Sequence, residues 1–328
     1  MKAIQLNRFG DAASLEVIES PKPTPGPGQV LIHVRAAGVN FADTLMRENR
    51  YALTPVLPAI LGHEVAGVIE STGNDVAGLA VGTRVAAPLF AAGVWFGGYA
   101  EYVVIDSNVV VPLPDALSFD EAALMVQGLT ALYLTKQAPP RGKSVLVNAA
   151  AGGVGTLLVQ LARRAGARTV VAAASTDHKL DIARGLGADA VVNYTHEDWV
   201  EQVRAVTGGA GADIIYESAG GEVTTASLEA LAPLGEIVIY GALNIQSFAL
   251  GVPELLRLIF GNQSVTGFAL APLLTAEGLR SGLTELFELA VNGRLQVRIG
   301  GRFALDRVAD AHRALEGRRT TGKIVLAA

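Results

Sequence analysis

No cysteine occurs in this chain. Its absence excludes disulfides, thiolate nucleophiles and Cys-ligated zinc. Charge is sparse as well: 17% of residues are Asp, Glu, Lys or Arg, and 31 acids against 26 bases give a net charge of −5. No block of basic residues stands out, so nucleic acid is not an expected partner. No uninterrupted apolar run is long enough to span a bilayer. The opening residues, MKAIQLNRFG, lack the apolar core of a signal peptide. We therefore expect a soluble, cytoplasmic protein with no membrane partner. Internal repeats and low-complexity segments are also lacking. Apolar residues, by contrast, make up 50% of the 328 positions, and 37 are glycine. That length exceeds what one core usually serves, so two domains are expected, with many tight turns.

The most informative stretch is residues 144–155, SVLVNAAAGGVG. An apolar run leads into small residues and glycines. Behind them Val154, Leu157, Leu158, Leu161, Ala162 and Ala165 recur at helical spacing until Gly166 stops the helix. Strand, glycine turn and helix form the context in which a dinucleotide diphosphate approaches backbone N–H groups at a helix N-terminus. Ala150, Gly152 and Gly155 form an A-x-G-x-x-G register, which lacks the first glycine of the usual pattern.

The surrounding chain changes texture once. Strand candidates at 2–6, 15–20, 29–36, 61–71, 83–87 and 99–105, with turn signals between them, predict a small β-barrel or partly open barrel. At Ser118 a Ser-Phe-Asp-Glu segment has the composition of a helix start. Beyond it, strands predicted at 144–148, 169–173, 190–193, 213–217, 236–240 and 264–266 alternate with helices. That alternation predicts a six-stranded, doubly wound parallel sheet. The tail is expected to hold helices at 275–292 and 305–316 and a last strand at 323–326, which returns to the first domain. The fold class is thus α/β, with domains at 1–120, 121–265 and 266–328.

An acid about 20 residues after the glycines would bind the ribose hydroxyl of NAD. Residues 170–174 end without one, and Ser175-Thr176-Asp177-His178-Lys179 follows. A hydroxyl and a lysine in that place favour the 2′-phosphate of NADP. Asp177 reads as a first-turn acid that complements the helix dipole.

Several segments together resemble the zinc-free quinone oxidoreductase branch of the medium-chain dehydrogenases/reductases. They are GVNFAD at 38–43, Arg47 with Tyr51, GHEVAG at 62–67, GTRV at 82–85, GGYAEY at 97–102, GLTA at 128–131, the glycine turn, and TGKIVL at 321–326. The resemblance spans essentially the whole chain. It implies a GroES-like barrel, an inserted Rossmann domain and a C-terminal segment that rejoins the barrel. Asn40 stands where metal-dependent relatives carry a first zinc ligand, and Gln127 lies near the last; no metal is expected. His63 and Glu64 read as turn residues, with a residual metal or polar-network role as the other reading.

The resemblance also implies the site. Asn40 and Tyr51 are the candidate catalytic residues. Tyr51 is either a proton donor or an aromatic wall, and Asn40 either contacts the nicotinamide or caps a turn. Asp43 reads as a helix-start residue. Thr130, Gly152, Gly153 and Val154 would hold the diphosphate or nicotinamide of NADPH, and Ser175, Lys179 and Tyr194 its 2′-phosphate. Ser218 and Gly241 would line the crevice, Phe268 and Leu270 would hold the carboxamide through backbone groups, and Lys323 and Asn40 would lie near the cofactor. The insertion AAGVWF at 91–96, with Trp95 and Phe96, either shapes substrate choice or packs. The expected activity is reduction of a small-molecule quinone or conjugated carbonyl. The alternatives are C=C reduction of an enal, enone or enoyl thioester, and a non-catalytic NADPH-binding role. A homodimer through the edge strand at 264–266 is expected by analogy.

Overall fold

The computed structural model describes residues 1–93, 96–241 and 249–328; Trp95 lies outside them. The chain divides into two compact units, Met1–Leu129 with Leu274–Ala328, and Thr130–Leu273.

In the first unit the chain runs β1 (Lys2–Leu6), β2 (Leu15–Glu19), β3 (Gln29–Val39), α1 (Phe41–Arg47), β4 (Ala59–Ile60), β5 (Val65–Thr72), β6 (Arg84–Ala87), β7 (Tyr102–Asp106), β8 (Val111–Pro112) and α2 (Phe119–Ala122). Helix α3 (Met125–Gln137) then leads into the second unit. There the chain runs β9 (Ser144–Val147), α4 (Gly153–Arg164), β10 (Thr169–Ala174), α5 (Asp177–Gly185), β11 (Ala190–Asn193), α6 (Trp199–Val206), β12 (Ala212–Glu217), α7 (Glu222–Glu229), β13 (Leu231–Ile239), α8 (Val252–Gly261) and β14 (Ser264–Gly267). The tail adds α9 (Ala276–Val291), β15 (Ile299–Ala304), α10 (Val308–Glu316) and β16 (Lys323–Ala327) to the first unit.

The second unit is the doubly wound sheet that the sequence predicts, in the order β11-β10-β9-β12-β13-β14 with every neighbour pair parallel. Helices cover it, so its strands read as near-continuous apolar runs. Leu146, Val171, Val192, Ile215 and Ile237 form its core with Leu228 of α7. Burial of each such side chain contributes about 1.5–3 kcal/mol.

The first unit has a three-stranded sheet, β2-β1-β4, and a seven-stranded one built on the path β15-β16-β3-β5-β6-β8 with β7 also on β3. The last strand joins this larger sheet: Ile324 pairs with Val39 and Leu326 with Ala37. That pairing is why β3 runs three residues past its expected end. The predicted strand at 61–71 begins only at Val65, because Gly62 turns the chain at φ +86°. Residues 61–64 therefore leave the ladder and carry His63 and Glu64 with them. The strand predicted from 99 likewise starts at Tyr102, since the Tyr99 N–H bonds to Leu61 instead. Strand β15 has no counterpart in the sequence reading, because its Gly300-Gly301 pair blurs the alternation that marks strands. The second tail helix starts at Val308, after a short 3₁₀ turn at Leu305–Arg307. Ser118 caps α2 as expected, with its hydroxyl accepting from the Glu121 N–H at 3.2 Å.

Candidate active site

In the second unit, β9 ends at Val147 and α4 begins at Gly153. Gly152 is the N-cap and has no side chain to satisfy the first-turn N–H groups of Gly153, Val154 and Gly155. A Cβ on Gly155 would lie 2.4 Å from the Ala149 carbonyl oxygen and 2.7 Å from the Ala150 Cα. Helix and turn therefore pack too closely for any other residue. An uncapped, dipole-positive helix start behind a turn of small residues fits a dinucleotide diphosphate.

The neighbouring strand ends carry the rest. Ala174 of β10 is in register with Asn193 of β11, which sets Ser175 and Tyr194 side by side at the carboxyl edge. Thr176 caps α5, placing Asp177 and Lys179 in its first turn. The Lys179 ammonium reaches the Ser175 hydroxyl at 3.4 Å. Ser218 follows β12 and donates to the Tyr240 phenol oxygen at 3.1 Å. A Cβ on Gly241 would lie 2.5 Å from the Ser218 Cβ, so these two positions meet. Phe268 continues from β14 through its N–H to the Ile239 carbonyl at 2.9 Å, and the Leu270 carbonyl accepts from Leu273 at 3.0 Å. Thr130 is buried on α3.

Two residues the sequence reading missed sit beneath these strand ends. Glu217, fully buried, accepts from Asn148 Nδ2, from the Gly220 N–H at 2.7 Å and from Thr224 Oγ1 at 2.9 Å. Burial pushes its carboxyl above the usual range, against those hydrogen bonds. Asn148 Nδ2 also donates to Ser227 at 2.8 Å.

In the first unit a chain of buried polar groups runs along α1. Asn40 occupies the N-cap of α1 and Asp43 its third position. One half of the capping box is clear, with the Asn40 N–H donating to Asp43 Oδ2 at 2.8 Å. The Asn40 side chain turns elsewhere: Oδ1 accepts from Lys323 Nζ at 3.0 Å, and Nδ2 donates to Glu64 Oε1 at 2.7 Å and lies 3.4 Å from His63 Nε2. Both amide hydrogens thus point inward. Lys323 Nζ pairs with Glu64 Oε1 and reaches the Val39 carbonyl at 3.4 Å. Glu64 Oε2 accepts from the Val126 N–H at 2.7 Å. A Cβ on Gly38 would lie 2.2 Å from Glu64 Oε1, so only glycine there lets this carboxylate cross β3.

His63 Nδ1 and Asp43 Oδ1 are 2.9 Å apart. The distance is that of a hydrogen bond, although its geometry is poor. Burial works against the Asp43 charge, but His63, the Asn40 N–H bond and His312 together hold the carboxyl below its usual range. Tyr99 donates to Asp43 Oδ2 at 2.9 Å and lies 3.3 Å from His312 Nε2. His312 Nδ1 lies 3.3 Å from Arg47 Nη1, and Arg47 Nη2 pairs with Glu48 and Glu316. Tyr51 follows the far end of α1, 39% exposed. Burial, then the Asp43 charge, raises its phenol above 10. Asn49 just before it adopts φ +55°, a conformation that asparagine tolerates better than most residues.

Sequence reasoning had no route to Tyr99, Arg47 and His312 as one group. The available signal was polarity at interior positions, such as His312 on an otherwise core-facing stretch of α10. Gln127 Oε1 is buried without a partner, and Phe96 is half-buried. Among the described residues no group of three or more His, Asp or Glu side chains is placed to hold a metal ion.

His312 gives a pH prediction. Burial, and then the Arg47 charge, lower it to about 4 from 6.5, with Asp43 opposing. The unfolded chain therefore takes up this proton first as pH falls. The contribution is full above pH 6.5 and is lost between 6.5 and about 4, at about 3 kcal/mol in total. Urea unfolding of wild type and His312→Gln should show stability curves that diverge in slope across that window. Parallel curves would contradict the assignment.

Comparison with known proteins follows the same division. Residues 26–115 match the family described as the alcohol dehydrogenase GroES-like domain, and residues 153–281 the family described as zinc-binding dehydrogenase. A quinone oxidoreductase of Pseudomonas aeruginosa is 36% identical over 329 residues, covering 99% of each chain. A 2-haloacrylate reductase of a Burkholderia species is 35% identical over 317 residues, covering 92% of each. The structure of the Escherichia coli quinone oxidoreductase complexed with NADPH matches with a TM-score of 0.91 at 30% identity, over 100% of both chains.

Proposed function

Because the chain belongs to the quinone oxidoreductase family of medium-chain dehydrogenases/reductases, we propose that it reduces a quinone or related conjugated carbonyl with NADPH and without a metal. At the coarser level it is an NAD(P)H-dependent oxidoreductase, and NADPH is its cofactor.

The observation that carries this reading is the pairing of an uncapped glycine helix start with the Ser175–Lys179 cluster one strand away. Gly153 and Val154 offer N–H groups to the diphosphate. Ser175, Lys179 and Tyr194 take the 2′-phosphate, and Thr130, Ser218, Gly241, Phe268 and Leu270 complete the cofactor contacts. The cofactor supplies a hydride. A quinone or enone is already electrophilic, so the protein need only orient it and hydrogen-bond the oxygen where charge develops. We assign that donor to Tyr51. A phenol is protonated at neutral pH even without this shift, so its proton is available to move as the hydride arrives. Zinc independence rests on the donor set: the chain has no cysteine, and Lys323 already supplies the positive charge beside Asn40 and Glu64.

Lys179→Ala should weaken NADPH by about 10- to 100-fold, the worth of one charge-assisted hydrogen bond, and leave NADH unchanged. Equal losses for both cofactors in a fluorescence titration would remove Lys179 from the 2′-phosphate site.

C=C reduction is the second reading, favoured by the likeness to a 2-haloacrylate reductase. Turnover of NADPH with a 1,4-quinone, a 2-alkenal and an enoyl thioester in parallel separates the two. The primary reading expects the quinone to be fastest.

We also propose a homodimer through the second unit. Among the described residues, strand β14 is an unpaired sheet edge, and α8 beside it buries none of its residues, with Ile259 67% and Phe260 83% exposed. Sedimentation velocity should show a dimer for wild type and a monomer for Phe260→Asp. A monomeric wild type would end this proposal.

A further inference from the structure

The buried chain along α1 has a definite proton arrangement, and its polarity can be read from the two groups in it that only donate. Lys323 carries three N–H bonds and no acceptor. The Asn40 atom 3.0 Å from its Nζ must therefore be the amide oxygen. The amide nitrogen then faces Glu64 Oε1 at 2.7 Å and His63 Nε2 at 3.4 Å. An amide nitrogen donates, so His63 Nε2 accepts and carries no hydrogen. The single proton of a neutral imidazole is then on Nδ1, which faces Asp43 Oδ1 at 2.9 Å.

The same reasoning applies at the other end. Arg47 only donates, so His312 Nδ1 accepts from it at 3.3 Å, and His312 Nε2 carries the hydrogen toward the Tyr99 oxygen. The Tyr99 hydroxyl then donates to Asp43 Oδ2 at 2.9 Å. Both arms converge on Asp43 as an acceptor-only carboxylate.

We propose that Lys323 is a positioning residue for the reduction: its ammonium locks the Asn40 amide in one orientation and so holds His63 as the neutral Nδ1–H tautomer. Its three N–H bonds are met inside the first unit by Glu64 Oε1, Asn40 Oδ1 and the Val39 carbonyl. Lys323 thus acts through Asn40. Two influences on His63 oppose each other. Burial disfavours its charge, while Asp43 and then Glu64 favour it strongly enough to raise its pKa. An imidazolium would point an Nε2–H at the Asn40 amide hydrogens, and the fixed amide excludes that donor–donor contact. The hydrogen-bond geometry favours the neutral ring.

Nitrogen-15 spectra of imidazole-labelled protein at neutral pH test this directly. The five histidines are assigned by loss of signal in single His→Gln variants. The expected pattern is a protonated Nδ1 for His63 and a protonated Nε2 for His312. A His63 that is charged, or protonated on Nε2, overturns the proposal, and this measurement needs no variant at Lys323 to fold.

The charge-neutral pair Lys323→Met/Glu64→Gln supplies the second arm. With the lock removed, His63 should show a mixture of tautomers or a second proton, and kcat should fall by at least about tenfold, as displaced groups at a reacting centre do. Affinity for NADPH should be unchanged. An unchanged His63 signal overturns the role of Lys323, and a large loss of NADPH affinity reassigns it as a cofactor contact. The expected fall in kcat rests on the reductase reading. Failure of that reading shows as absent quinone turnover in wild type with the expected nitrogen-15 pattern intact.

Discussion

Tyr51→Phe should lower kcat by about 100-fold, the lower range for loss of a positioned general acid, while NADPH affinity stays unchanged. The phenol is suited to the task. It sits at the end of α1, 39% exposed and so within reach of a small molecule. Burial and the Asp43 charge raise its pKa above 10, and the phenol is protonated at neutral pH, as a donor to the substrate oxygen would have to be. The remainder of the chain along α1 offers no such group. The Asn40 amide is committed to Glu64, His63 and Lys323, and the Tyr99 phenol to Asp43. Steady-state kinetics with a quinone decides it: a Tyr51→Phe variant that turns over at the wild-type rate would make Tyr51 an aromatic wall.

Gly155→Val should raise the Kd for NADPH by roughly 10- to 100-fold. The Cβ alone would lie 2.4 Å from the Ala149 carbonyl oxygen and 2.7 Å from the Ala150 Cα. Both are backbone atoms, so no side chain can swing aside. Relief requires α4 to move away from the turn, at a cost of about 1–3 kcal/mol or more. That displacement would carry the Gly153 and Val154 N–H groups away from the place proposed for the diphosphate, and about 1.4 kcal/mol is already tenfold in affinity. Fluorescence titration with NADPH measures it. A Kd equal to wild type, in a variant with wild-type far-UV circular dichroism, would show that the turn does not hold the diphosphate.

The parts legible in the sequence share one property: they are local. The glycine turn, the stripe behind it and the cap at Ser118 each lie within one short window. The six parallel strands were legible because covered strands are apolar throughout and alternate with helices. Ser175 and Lys179 came from their place after the second of those strands, and the structure brings them to 3.4 Å.

What escaped was set by distant pairings. Glu64 and Lys323 lie 259 positions apart and meet because β16 pairs with β3. Asn40, a candidate nicotinamide contact, and His63, read as a turn residue, appeared unrelated, since nothing in either segment shows that Gly62 turns His63 toward Asn40. Arg47 was visible as part of a family motif, but its contact with His312, 265 positions away, depends on how α10 packs. Strand β15 escaped because two glycines interrupt it.

The account stands most directly on one measurement: initial rates of nicotinamide oxidation with a 1,4-quinone, using NADPH and NADH side by side, before and after treatment with a metal chelator. It predicts faster oxidation of NADPH and a rate that the chelator leaves unchanged. A preference for NADH, or loss of activity with the chelator, would contradict it.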